Sequence, residues 1–198
     1  MLSPRSLKFS IFLAAAVAVL VGASGSANAA DPVARFTAFA VNLGGPGAGR
    51  SGTATVELAI NRWSTAGERD RLMTVPKEKG PEKLLDALTD IPRVGYIRTP
   101  DSLGYDLRFA YREPGEDGGE DITVITDRYI GFWEAFYRPR TIDYPFTVIE
   151  LHLSKAGEGE GKMSLATRIT ADRHGDRVVL ENYAAQPVLL QNVRRAAK

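Results

Sequence analysis

Two side chains of the types that perform acid–base catalysis stand two positions apart in the sequence, Glu150 and His152. Alternate residues of an extended strand lie on the same face, so their Cβ atoms would be about 7 Å apart. Histidine titrates near neutral pH, and a neighbouring carboxylate could complete an acid–base pair. The sequence supplies no obvious nucleophile beside them, and glutamate and histidine often alternate on strand surfaces. An enzyme that uses Glu150 and His152 is therefore the less favoured alternative.

A second candidate site lies just before this pair, where Arg138 and Arg140 flank a proline. Two guanidinium groups held in this way could bind a carboxylate or a phosphate through paired hydrogen bonds. Aromatic residues are dense in the same stretch, and large aromatic side chains bury much apolar area. The ordinary alternative is that the arginines pair with nearby acidic side chains and stack on the aromatic rings. We predict a ligand-binding site that includes Trp133, Arg138, Arg140 and Tyr144.

Other patterns that resemble functional motifs carry little weight. Residues 44–51 (GGPGAGRS) differ by one residue from a phosphate-binding loop, but such a loop precedes a helix and the next segment alternates like a strand. His174 lies in a predicted turn, and the acidic turns match no EF-hand spacing. No serine stands in a nucleophile-elbow pattern. We predict no catalytic residue, no cofactor and no metal site.

The strongest strand pattern of the chain covers residues 146–153 and contains the Glu150 and His152 pair. Its alternation with β-branched residues is typical of a half-buried strand. Thr147, Ile149, Leu151 and Leu153 form one face, which we expect to be the core face. The opposite face begins with Phe146 and Val148 and ends with the charged pair. We therefore expect this second face to pass from a covered region into water.

The remaining elements are mostly strands. Residues 35–43 and 53–63 suggest a hairpin, and alternation returns after residue 93. Residues 64–91 predict two short helices, with a capping box from Thr65 to Glu68, an end or kink at Pro76, and an apolar stripe that packs on a sheet. The basic tail from Arg194 to Lys198 is expected to be frayed. The predicted fold is mainly β, a single-domain antiparallel β-barrel or curved sandwich of about eight strands with a short two-helix excursion.

The N-terminal residues 1–29 have the pattern of a secretory signal. Arg5 and Lys8 precede an apolar run that is short for a transmembrane helix, and Ala27 and Ala29 flank an A-x-A cleavage position. We expect residues 30–198 to form one periplasmic or extracellular domain without a transmembrane anchor. The chain has no cysteine, so no disulfide supports the fold. Its formal net charge of +1 falls when the basic signal is removed, which gives no reason to expect nucleic-acid binding.

Four segments resemble a family of small exported bacterial proteins of unassigned function. They are residues 62–72 (RWSTAGERDRL), 95–110 (GYIRTPDSLGYDLRFA), 138–153 (RPRTIDYPFTVIELHL) and 159–169 (GEGKMSLATRI). The resemblance covers most of the expected mature chain. It implies export, and it brings no activity, ligand or catalytic residue with it.

Three functions are compatible with these patterns. The favoured one is a non-enzymatic exported protein that binds a small apolar or anionic ligand in an enclosed apolar pocket. The second is an interaction or structural module that uses an exposed sheet edge or aromatic patch, with a solid core and a contiguous apolar surface. The third is the enzyme described above, which needs a cleft that converges on Glu150 and His152.

Overall fold

The computed structural model describes residues 31–44, 51–128, 130, 145–171, 178–182 and 186–197. These residues form ten strands and two helices. In chain order they are β1 (Ala34–Asn42), β2 (Gly52–Ile60), α1 (Ala66–Glu78), α2 (Lys83–Thr89), β3 (Gly95–Arg98), β4 (Tyr105–Leu107), β5 (Phe109–Pro114), β6 (Glu120–Thr126), β7 (Phe146–Leu153), β8 (Glu158–Ala171), β9 (Val178–Asn182) and β10 (Val188–Arg195).

All ten strands belong to one antiparallel sheet in the order β4-β3-β2-β1-β10-β8-β7-β6-β5, and β9 pairs with β8. The two terminal strands of this order, β4 and β5, are separated along the chain only by Arg108, whose N–H donates to the carbonyl of Ile125 at 3.0 Å. The sheet is therefore strongly curved, and its two ends lie in one short chain segment. Among the described residues, no pairing between β4 and β5 closes the sheet into a barrel. The predicted mainly β antiparallel fold is confirmed in its curved form.

The inner face of the curved sheet holds most of the core, and β7 shows how the sequence sets the two faces. Thr147, Ile149, Leu151 and Leu153 are all buried, as the alternation predicts. On the opposite face Phe146 and Val148 are also buried, Glu150 is half-buried and His152 is exposed. The predicted passage from a covered region into water is therefore confirmed.

The two helices form a small layer on the outer side of the sheet. The predicted capping box begins α1, because the side chain of Thr65 accepts from the N–H of Glu68 and the carboxylate of Glu68 accepts from the N–H of Thr65. Pro76 does not end α1, which continues to Glu78. Proline lacks the N–H that would donate to the carbonyl of Leu72, and only Lys77 and Glu78 follow it in α1, so one helical hydrogen bond is lost near the end of the helix.

Arg194, Arg195 and Ala196 are paired in the sheet, so the expectation of a frayed basic tail is wrong for these residues, and Lys198 lies outside the described residues. Arg194 and Arg195 belong to β10, which pairs with β1 and β8 in the middle of the sheet. The N–H of Ala196 continues this pairing by donating to the carbonyl of Arg35 at 2.8 Å. A basic composition did not predict fraying here because the backbone of the segment fills a central ladder position.

Candidate functional site

A cavity of about 300 Å³ lies between the helical layer and the outer face of β5, β6, β7, β8 and β9. The helices line it with Leu72, Met73, Leu84 and Leu88. The sheet lines it with Phe109, Ile125, Phe146, Val148, Ile169 and Leu180. Most of the lining side chains are thus apolar, as in typical small-molecule sites, and the polar ones are Arg69, Glu113, Thr123 and Glu150.

The sequence explains why space remains between these two layers. The helix α2 has only seven residues, of which Leu84, Ala87 and Leu88 are buried, and α1 buries only Leu72, Val75 and Pro76. The outer face of the sheet opposite them carries branched and aromatic side chains from several strands. A few helical side chains cannot interdigitate with so wide an apolar surface, and the unfilled part is the cavity.

Polar side chains border the cavity at its rim. Arg69 Nη2 lies 3.3 Å from Glu113 Oε1, and the guanidinium carbon of Arg69 lies 5.1 Å from the centre of the Tyr111 ring. Glu150 lies on the same border and pairs with Lys162 at 3.1 Å. These groups can orient a ligand whose apolar part occupies the interior, because they offer hydrogen bonds only at one side.

The predicted ligand residues Trp133, Arg138, Arg140 and Tyr144 lie outside the described residues, so that site stays a prediction. The stretch that contains them ends at Phe146, which does line the cavity. Sequence reasoning named the aromatic stretch that leads to this residue, and the four predicted ligand residues in it stay untested. It did not identify the helical residues that form the opposite wall.

Glu150 and His152 share the outer face of β7, as their spacing predicts, but they do not pair with each other. The ring of His152 lies between two carboxylates, with Nδ1 at 2.6 Å from Asp121 Oδ1 and Nε2 at 3.3 Å from Asp117 Oδ2. Glu150 pairs instead with Lys162 on β8.

The two carboxylates favour the charged form of the imidazole. The hydrogen bond to Asp121 is the main cause that raises the pKa of His152, and the charge of Asp117 adds to it. An imidazolium with both nitrogens engaged offers no lone pair to a substrate. This arrangement favours a cross-strand ion-pair cluster over a general base.

A further polar cluster on the outer face of β1, β2 and β3 was missed by sequence reasoning. Glu57 accepts a hydrogen bond from the Tyr96 hydroxyl at 2.9 Å and pairs with Arg35 and Arg98. Burial raises the pKa of Glu57, but the hydrogen bonds from Tyr96 and Arg98 and the charge of Arg35 outweigh it, so the pKa is lowered. All of these partners of the Glu57 carboxylate belong to the protein, which indicates that it stabilises the packing of β1, β2 and β3.

Neither a cluster of metal-binding side chains nor a membrane-spanning helix is found in the part of the chain that the structure describes. No group of three or more His, Cys, Asp or Glu side chains there is placed to hold a metal ion. Neither α1 nor α2 is long and apolar enough to cross a membrane.

Comparison of the chain with protein-family models, with curated proteins and with solved structures finds no match. The resemblance to small exported bacterial proteins therefore stays a prediction. The geometry of the cavity is the basis for the function proposed below.

Proposed function

We propose that this chain is an exported, non-enzymatic protein that binds a small, largely apolar ligand between its helical layer and its sheet. The observation that carries the proposal is the cavity of about 300 Å³ with apolar walls and charged groups only at its rim. Its volume is at the lower end of the range for small-molecule sites. Because a water molecule takes about 30 Å³ in the liquid, the space suits a ligand of roughly ten non-hydrogen atoms.

The expected affinity follows from the size of the ligand. Burial of an apolar chain contributes up to about 0.8 kcal/mol for each CH₂ group, so ten buried groups contribute about 8 kcal/mol at most. Immobilisation of the ligand offsets part of this gain. We therefore expect dissociation constants that are micromolar or weaker.

The partners that Glu150 and His152 have in the structure support a binding function over catalysis. Each side chain is engaged by a partner on a neighbouring strand or turn, and neither is aimed at the other. The export of the protein is part of the same proposal and depends on the sequence pattern of residues 1–29, which lie outside the described residues. A carrier or scavenger in a periplasm or culture medium fits a binding site without catalytic groups.

The test is a fluorescence titration of the purified protein with 1-aminonaphthalene, a neutral dye of about the size that the cavity can hold, whose emission shifts to shorter wavelength in apolar surroundings. We expect saturable binding that decan-1-ol displaces. The variant Val148→Phe places a ring in the cavity and should weaken dye binding about tenfold or more. Its matched control is Ile149→Phe, which changes the next residue on the inner face and should keep the affinity of the unchanged protein.

Circular dichroism at the titration temperature verifies that both variants are folded. Absence of saturable dye binding, or an equal loss of affinity in Val148→Phe and Ile149→Phe, would contradict the proposal. An unchanged affinity in Val148→Phe would place the dye elsewhere on the molecule and would contradict it as well.

A second candidate function is favoured by a separate surface. Phe39 and Leu189 are exposed on the outer face of β1 and β10, on strands that do not line the cavity, and Leu43 is exposed just beyond β1. Exposed apolar side chains that lie close together are typical of interaction surfaces. An interaction module that uses this face predicts self-association or partner binding that Phe39→Ser abolishes, as measured by sedimentation velocity, while dye binding is unaffected.

A further inference from the structure

Arg69 is the cationic side chain among the described residues that line the cavity, and its position suggests what the polar end of the ligand is. It lies in the first part of α1, and its side chain is 42% exposed. Its guanidinium lies against the face of the Tyr111 ring at 5.1 Å from the ring centre. Cation–π contact of this kind holds the charged group at the border between the apolar wall and water.

The present partners of Arg69 are weakly held. Its nitrogens lie 3.3 Å from Glu113 and 3.9 Å from Asp70, and those carboxylates are 56% and 72% exposed. Ion pairs as exposed as these contribute little to stability. A guanidinium has five N–H donors in a planar fork, which matches a carboxylate with two parallel hydrogen bonds. A ligand carboxylate can therefore replace Glu113 at small cost.

A cationic ligand is disfavoured, because a ligand must displace either Glu113 or Arg69 from their ion pair and the displaced side chains differ in their exposure to water. If an anion displaces Glu113, that exposed carboxylate moves into water. If a cation took Glu113, Arg69 would lose its main partner while its guanidinium, the less exposed of the two groups, still lay against the Tyr111 ring, so this exchange is the less favourable one. Glu150, the other acidic group at the rim, is already paired with Lys162 at 3.1 Å.

We propose that the ligand is a small amphiphilic carboxylate, such as a medium-chain carboxylic acid, whose anionic end binds Arg69 in place of Glu113 while its apolar chain fills the cavity. This inference rests on the proposed function, because it assigns the head group of a ligand held in the same cavity. Arg69 is then the residue that determines specificity for the head group, and the apolar walls determine the length and volume of the chain.

The experiment measures displacement of 1-aminonaphthalene by decanoate, decan-1-ol and decylamine, three ligands that share one chain length and differ in the head group. In the unchanged protein, decanoate should bind more tightly than the alcohol, and the amine less tightly. Arg69→Gln should weaken decanoate about tenfold and leave decan-1-ol within about twofold, because only the charged hydrogen bonds are lost. Glu113→Gln should strengthen decanoate, since the competing carboxylate is removed.

Arg71→Gln is the matched control, because Arg71 lies on the same helix, pairs with Asp90 at 3.2 Å and does not line the cavity. It should leave the ratio of decanoate to decan-1-ol affinities unchanged. If decan-1-ol binds but Arg69→Gln leaves that ratio unchanged, the head-group inference is overturned and the cavity proposal survives. If no ligand displaces the dye, both fail. Tighter binding of decylamine than of decanoate would overturn the inference in favour of a cationic ligand.

Discussion

An ion pair at one end of the curved sheet offers a stringent test of the fold. Arg195, near the end of β10, lies opposite Phe36 in the ladder, and its guanidinium carbon lies 5.1 Å from the centre of the Phe36 ring. Its Nη2 is in ion-pair contact with Glu120 of β6, and both Nε and Nη2 are buried without a well-aligned hydrogen bond among the described residues. The pair joins β6 and β10, which are not neighbours in the sheet, so it spans the interior at this end.

The expected cost of breaking this pair follows from its burial. The side chains of Arg195 and Glu120 are 31% and 19% exposed, so the pair is partly desolvated. Removal of one partner from a fully buried pair costs about 3–5 kcal/mol, and an exposed pair contributes about 0–1 kcal/mol. Because solvent reaches part of this pair, we expect Glu120→Gln to lower the free energy of unfolding by about 1.5–3 kcal/mol. Glutamine keeps the shape and one acceptor oxygen but removes the charge.

The neighbouring pair provides a matched control. Arg194 Nε lies 3.7 Å from Glu158 Oε1, and these side chains are 68% and 64% exposed. Glu158→Gln should change the free energy of unfolding by less than about 0.5 kcal/mol. The assay is urea unfolding of both variants at neutral pH, followed by circular dichroism. Experimental error in such free energies is about 0.5 kcal/mol. If the free energies of unfolding of the two variants differ by less than this, the inward position of Arg195 is wrong.

Two further predictions concern the strand that carries the cavity floor. The raised pKa of His152 stabilises the fold below its ordinary pKa of 6.5, and this contribution is lost as the pH rises through the raised value. The pKa of Asp117 is lowered, chiefly by a hydrogen bond from the backbone N–H of Gly119, so its contribution is lost only as the pH falls through a value below 3.8. His152→Gln should therefore lower the melting temperature more at about pH 5.5 than at about pH 8.5, and an equal loss at both would contradict the ion-pair assignment. Thr147→Val should lower the free energy of unfolding by about 1–3 kcal/mol, as measured by thermal or urea unfolding. The buried hydroxyl of Thr147 accepts a hydrogen bond from the N–H of Ile130 at 3.2 Å, and valine has no acceptor in its place. A loss below about 0.5 kcal/mol, the experimental error, would contradict this role.

The faces of β7 were predictable because a strand obeys a period of two and buries one face. Thr147, Ile149, Leu151 and Leu153 met both conditions, and the change from Val148 to Glu150 on the other face marked where cover ends. Local rules of this kind need no knowledge of distant residues. The capping box at Thr65 is a second example, since both of its hydrogen bonds span only three residues.

The partners of Glu150 and His152 could not be predicted in the same way. They depend on register, which pairs Glu150 with Lys162 and His152 with both Asp121 and Glu160. Register is set by the geometry of turns and by the burial of whole strands, and a shift of one residue would exchange every partner. The spacing of two residues therefore predicted a shared face and said nothing about what faces them from the next strand.

The cavity depends on still more distant relations, and β7 shows how they combine. Along its outer face Phe146 and Val148 lie beneath the helices, Glu150 lies at the rim and His152 lies in water. The boundary between apolar and charged residues on this single strand thus coincides with the edge of a layer built from residues more than fifty positions earlier. An amphiphilic ligand has the same order of groups, with an apolar chain followed by a charged end. The strand and the helix residue Arg69 together define one orientation for such a ligand, with its chain over Val148 and its head group toward the rim.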